Sequence, residues 1–85
     1  MTEILAVFRS RTQAASCKAR LNAMGVAANI TATPAELKTG CGLSVSFYAR
    51  DYNRARAEIL RADYTTFSGF ARINSGGSYY FNWHT

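Results

Sequence analysis

The sequence predicts an α+β fold in which two helices lie on one face of an antiparallel sheet. Two observations lead there. Apolar residues recur at intervals of two in some segments and of three to four in others, so strands and helices alternate along the chain. Glycine, proline and short polar clusters stand at the changes of period, where turns belong. At 85 residues the chain is read as a single domain, 1–85, because two cores this small would not offset the entropy of ordering them.

The elements follow in order. Ile4-Leu5-Ala6-Val7-Phe8 is a five-residue apolar run closed by Arg9-Ser10, short enough for a buried central strand and too short for a helix. From Arg11 to Met24 the stripe Ala14, Cys17, Leu21, Met24 marks an amphipathic helix. Ser10 and Gln13 match a capping box at its start, and Gly25 stands where a left-handed residue ends a helix. Ala28 to Thr33 alternates as a half-buried strand and stops at Pro34, which has no N–H for a ladder. Pro34 to Lys38 suits one helical turn before the tight loop Gly40-Cys41-Gly42. Leu43 to Tyr48 returns to period two. Asp51 and Asn53 offer caps for a second helix whose inner face is Ala55, Ile59 and Ala62, opposite Arg54, Arg56, Glu58 and Arg61. Seven of the eleven aromatics lie beyond Asp63, in Tyr64 to Phe70 and Tyr79 to Trp83, around Asn74-Ser75-Gly76-Gly77-Ser78, and this predicts a hairpin. The order βαββαβ plus one C-terminal strand is that of a ferredoxin-like sandwich, with spatial strand order four, one, three, two.

Composition narrows the chemistry. The chain is 48% hydrophobic, as globular domains are, and its net charge of +5 favours anionic partners. No apolar run reaches the roughly 20 residues of a membrane span, and Met1-Thr2-Glu3 lacks a basic leader, so the expected location is the cytoplasm. Two cysteines are too few for a disulfide framework. His84, the one histidine, makes neither a Cys-His pair nor a four-ligand zinc site, and the glycines do not fit a phosphate or dinucleotide loop, so no metal and no cofactor are expected. Asp51 and Glu58 share their helix with several arginines and read as ion pairs, not as an acid–base couple.

Cys41 stands out. The predicted strand order sets the start of the third strand beside the end of the first, at Phe8-Arg9-Ser10, and therefore beside the first helix's N-terminus. Helix dipole, Arg9, Arg11 and Lys38 would each lower a thiol pKa there. Gly40 and Gly42 permit backbone angles that let successive N–H groups form an anion nest. The plainer reading of Gly-Cys-Gly is a turn holding a small apolar residue. Cys17, on the helix stripe, reads as core packing; as a resolving thiol it would need its Cα within about 7 Å of that of Cys41.

These features in sequence resemble a family of small bacterial proteins described as Se/S carrier-like. The matching residues are Leu5-Ala6-Val7-Phe8, a helix ending in Gly25-Val26, Thr33-Pro34, and Gly40-Cys41-Gly42-Leu43, over roughly Glu3 to Asp63. The Cys-Gly pair after the proline is the most specific of them. The resemblance implies a non-enzymatic carrier in which Cys41 holds a persulfide or perselenide and hands it to a partner enzyme. It implies no role for Cys17.

Two other classes of function fit parts of the chain. A basic binding module, for nucleic acid or a small regulatory anion, fits the charge, but Phe67-Ser68-Gly69-Phe70-Ala71-Arg72 only loosely resembles the aromatic strand on which RNA-recognition domains stack bases, so nucleic acid is the less expected partner. Assembly into a homo-oligomer through the aromatic C-terminal hairpin fits the apolar strands there.

Overall fold

The computed structural model describes residues 3–33, 43–73 and 79–82. The expected helical turn at 34–38 and the Gly40-Cys41-Gly42 loop lie outside them. The elements are β1 (Glu3–Phe8), α1 (Arg11–Ala23), β2 (Asn29–Ala32), β3 (Leu43–Tyr48), a 3-10 turn (Ala49–Asp51), α2 (Tyr52–Ala62), β4 (Phe67–Ile73) and β5 (Tyr79–Asn82). The strands form one sheet in the order β2-β3-β1-β4-β5, with every neighbouring pair antiparallel. The architecture is α+β, compatible with a ferredoxin-like fold.

Strand β1 is central because nearly all of it is apolar. Alternate residues of a strand point to opposite faces. Ile4, Ala6 and Phe8 join Ala14, Cys17 and Leu21 of α1 and Ala55 and Ile59 of α2 in the larger core, so both helices cover the same face. Leu5 and Val7 belong to the other face, where they cluster with Ala71, and they are as dry as the helix-side residues. Their cross-strand partners there are small: Ser46 and Ala71 for Leu5, Ser44 and Gly69 for Val7.

Helix α1 ends as its sequence asks. Gly25 has φ +88, and no atom stands within 4 Å of where its Cβ would be, so the backbone angle rather than space calls for glycine. Gly25 N–H donates to the Asn22 carbonyl (3.0 Å) and Val26 N–H to the Leu21 carbonyl (2.9 Å), the two bonds of a Schellman motif. The start is different from a capping box. Ser10 Oγ accepts from Gln13 N–H at 3.2 Å, but the Gln13 side chain does not return to Ser10. Its Oε1 accepts from Thr66 N–H (2.9 Å) and Thr66 Oγ1 (2.6 Å), and its Nε2 donates to Thr65 Oγ1 (2.9 Å), which ties α1 to the turn after α2.

The second helix also departs from expectation at its start. Asp51 is the N-cap but its side chain makes no cap hydrogen bond; its carboxylate lies 3.9 Å from Arg50 and 4.0 Å from Arg54 instead, and Asn53 is inside the helix. Asp63 ends α2 in the left-handed region at φ 55. Tyr64, expected at the head of a strand, therefore sits in a turn, its ring edge-on to Phe8 at 5.3 Å.

An irregularity in β4 sets where its aromatics go. Val7 pairs with Gly69 but Phe8 pairs with Phe67, so one extra residue is accommodated between them. Gly69, at φ 143, takes the angle this requires. Phe67 and Phe70, three apart, consequently meet on the helix side with centroids 4.9 Å apart.

Candidate functional site

The end of the molecule where β1 passes into α1 gathers four chain segments. Phe8 closes β1 and pairs with Leu43, the first residue of β3. Arg9 N–H donates to the Thr66 carbonyl at 3.0 Å, which brings in the turn before β4. Ser10 caps α1. The helix has no acidic residue in its first turn, so nothing there offsets the partial positive charge of its unpaired N–H groups. Arg9 and Arg11 are both exposed and flank the cap. Of the expected site residues, Lys38, Gly40, Cys41 and Gly42 lie outside the described residues, while Arg9 and Arg11 stand at one sheet end together with the start of β3.

On the helix-free face at the same end, Thr33 Oγ1 and Ser44 Oγ lie 2.8 Å apart in a hydroxyl pair. Ser44 is fully buried, and this contact gives its hydroxyl the partner that burial demands. It joins the last described residue of the β2 arm to the second residue of β3. The segment 34–42 thus begins and ends at a closed, hydrogen-bonded base.

Cys17 has a different setting. It is 1% exposed in the helix-side core, and burial pushes its thiol up from the ordinary 9.0 to about 12; Glu58 adds to the rise and Arg20 opposes it. A thiol held neutral at physiological pH is a poor nucleophile and a poor carrier. The sequence reading of Cys17 as packing agrees with this burial.

The other charged groups form braces. Glu58, its side chain 13% exposed, accepts from Arg61 (2.6 Å) and from Arg20 of α1 (2.8 Å). The Arg61 hydrogen bond in particular holds its carboxyl below the usual carboxylate range, although burial works the other way. Arg54 donates to the Met24 carbonyl at the far end of α1. The helices are therefore tied at both ends and in the middle, and Glu58 is committed to structure rather than to acid–base chemistry.

Sequence reasoning missed two residues of this sheet end. Its spacing from Ser10 puts Gln13 in a local cap, yet its partners are 52 and 53 positions away. The aromatic pattern puts Tyr64 in a strand, yet its ring covers Phe8, and its hydroxyl is buried without a hydrogen-bond partner among the described residues. The aromatic run was the available signal for Tyr64; nothing in the local sequence pointed Gln13 across the molecule. The aromatic strand considered for base stacking faces the wrong way: Phe70 is 3% exposed and Phe67 packs beside it beneath the helices.

Among the described residues no helix is long and apolar enough to cross a membrane. No match was found among curated proteins or among solved structures. One family does match: "Putative Se/S carrier protein-like", over residues 3–70, a span that takes in β1 through most of β4 and includes Gly40-Cys41-Gly42. The chain belongs to this Se/S carrier protein-like family.

Proposed function

We propose that the protein carries sulfur or selenium on Cys41 in the cytoplasm and passes it to a partner protein, without itself catalysing a net reaction. The observation that carries this reading is the state of the other cysteine. A carrier needs an accessible thiolate, and Cys17, buried and raised to about 12, is not one. In a family described as carrier-like, the duty then falls to Cys41.

The surroundings of the loop support it. Cys41 is two residues before Leu43, so its Cα lies within about 7 Å of that of Leu43 by chain length alone. Leu43 pairs with Phe8, two residues before the α1 cap. The α1 N-terminus, with no acidic residue in its first turn, and the exposed Arg9 and Arg11 make this end of the molecule electropositive, and such a field stabilises thiolate and persulfide anions alike. Gly40 and Gly42 place no side chain on either side of Cys41 in the sequence.

In the loading step the Cys41 thiolate attacks the terminal sulfur of a donor's cysteine persulfide. The donor's S–S bond breaks, its sulfur leaves as thiolate, and a new S–S bond forms on Cys41; no external oxidant or reductant is consumed. Delivery repeats the exchange in the other direction toward an acceptor.

The test is to incubate the protein with a cysteine desulfurase and cysteine and to measure its intact mass. Wild type gains the mass of one sulfur atom, and a thiol reductant removes it. Cys41→Ser gains none. Equal labelling of Cys41→Ser, or no labelling of wild type, would sink the proposal.

A further inference from the structure

We propose that the outer surface of the two-helix layer is a docking face for an acidic protein surface. The observation is where the charge resides. Helix α1 carries Arg11, Lys18 and Arg20, and α2 carries Arg54, Arg56 and Arg61 against the single carboxylate of Glu58. Six cations against one carboxylate leave +5 within the two helices, equal to the net charge of the chain; outside them four cations and four carboxylates cancel, and one of those carboxylates, Asp51 at the α2 cap, lies 4.0 Å from Arg54.

Helix stability accounts for Arg20 and Arg61, which stand in the last turns of their helices, but not for Arg11, Lys18 or Arg56. Arg11 occupies the first turn of α1, where the helix already presents positive partial charge and where an acidic residue would be favourable. Glu58 is taken up by Arg20 and Arg61. Among the described residues no carboxylate lies within 4 Å of Arg11, Lys18 or Arg56. Both helices lie on one side of the sheet and are braced to each other, so these charges form one fixed field rather than scattered points, and such a field steers and orients an oppositely charged partner.

The surface between the charges selects protein over nucleic acid. The exposed residues of α1 include Thr12, Ala15, Ser16, Ala19 and Ala23, a low relief of methyls and hydroxyls. A protein surface that covers these methyl groups removes apolar area from water, whereas a phosphate backbone does not. Base stacking would need open aromatic rings, and Phe8, Phe67 and Phe70 are instead packed in the core beneath the helices. The inference does not depend on what Cys41 carries, because binding can be read with no thiol chemistry present.

The probe is a fluorescein-labelled, glutamate-rich alanine-based helical peptide, measured by anisotropy at low ionic strength beside a duplex DNA of equal charge. Wild type binds the peptide more tightly than the DNA. Lys18→Glu with Arg56→Glu weakens peptide binding by about tenfold, while Arg50→Glu with Arg72→Glu, the same change in net charge placed off the two helices, weakens it less than about twofold. Circular dichroism establishes that each variant is folded; should the helix reversal unfold the chain, Lys18→Ala with Arg56→Ala is used instead, with about threefold weakening expected. Equal loss in both pairs, no loss in the helix pair, tighter binding of the DNA, or no peptide binding by wild type each overturns the proposal.

Discussion

Cys17 shares the helix-side core with Ala14, Leu21, Phe8 and Ile59, and its thiol keeps its proton to about pH 12 in the folded state. In the unfolded chain it ionises near the ordinary 9.0. The sign of the linkage follows. Below 9.0 both states hold the proton and Cys17 adds no pH dependence. Between 9.0 and about 12 the unfolded chain releases a proton that the native state retains, so stability falls as pH rises through that window. Urea midpoints for wild type and Cys17→Ala at about pH 8 and about pH 10 check this: the drop between the two pH values is smaller in the variant, since tyrosine and lysine titrations are common to both chains. The same burial that makes Cys17 a poor carrier is thus measurable without any chemistry at sulfur. That it packs was legible from its place on a helical stripe; how far burial would move its proton was not, because that depends on β1, β3 and α2 closing over it.

Among the elements, the junction of α1 with the α2–β4 turn rests on one side chain. Gln13 makes three hydrogen bonds to Thr65 and Thr66, including one to a backbone N–H. Gln13→Ala leaves the partly buried Thr66 N–H and hydroxyl without this acceptor, and about 1–2 kcal/mol of stability is lost. Urea denaturation measures it, and an unchanged midpoint would show the clamp to be dispensable. The boundaries of β1, α1, β3 and α2 were readable because each follows from periodicity and from residues within a turn of it, as with Gly25 and its Schellman bonds. Where an element's form depends on its neighbour, local sequence was silent. Gln13 has the right spacing for a capping box and finds better partners on another segment. Phe67 and Phe70 look like two faces of one strand until the register with β1 slips by a residue and turns both inward. Asp63 is of a residue type that tolerates the left-handed region, but nothing local requires it to end the helix there and so move Tyr64 out of the strand.

For the whole molecule, composition stated that the chain is basic but not that the net charge resides on one layer. That division appears only once the elements are assembled, with α1 and α2 on the same side of the sheet and the remaining charges balanced across strands and turns. The candidate site is legible to a similar extent. Gly40-Cys41-Gly42 stands out in the sequence by itself, and the pairing of Leu43 with Phe8 gives its downstream end an address beside Arg9, Ser10 and Arg11. The family match spans the same region. Whether a thiol is loaded there depends on a second protein, which no property of this chain encodes.

Strand β1 has one further consequence. It has a strand on each side and dry residues on each face: Leu5 and Val7 are buried as thoroughly as Ala6 and Phe8. Fraying from an edge cannot reach its amides, and no single helix can lift to expose them on both faces. Hydrogen exchange in β1 therefore requires the whole molecule to open, and its protection factors equal the global unfolding constant. Exchange measured by NMR should find Leu5 to Val7 among the slowest amides, shifting in step with urea, while those of the edge strand β2 exchange faster through local opening. Three consecutive residues then serve as an internal gauge of the stability of the entire fold.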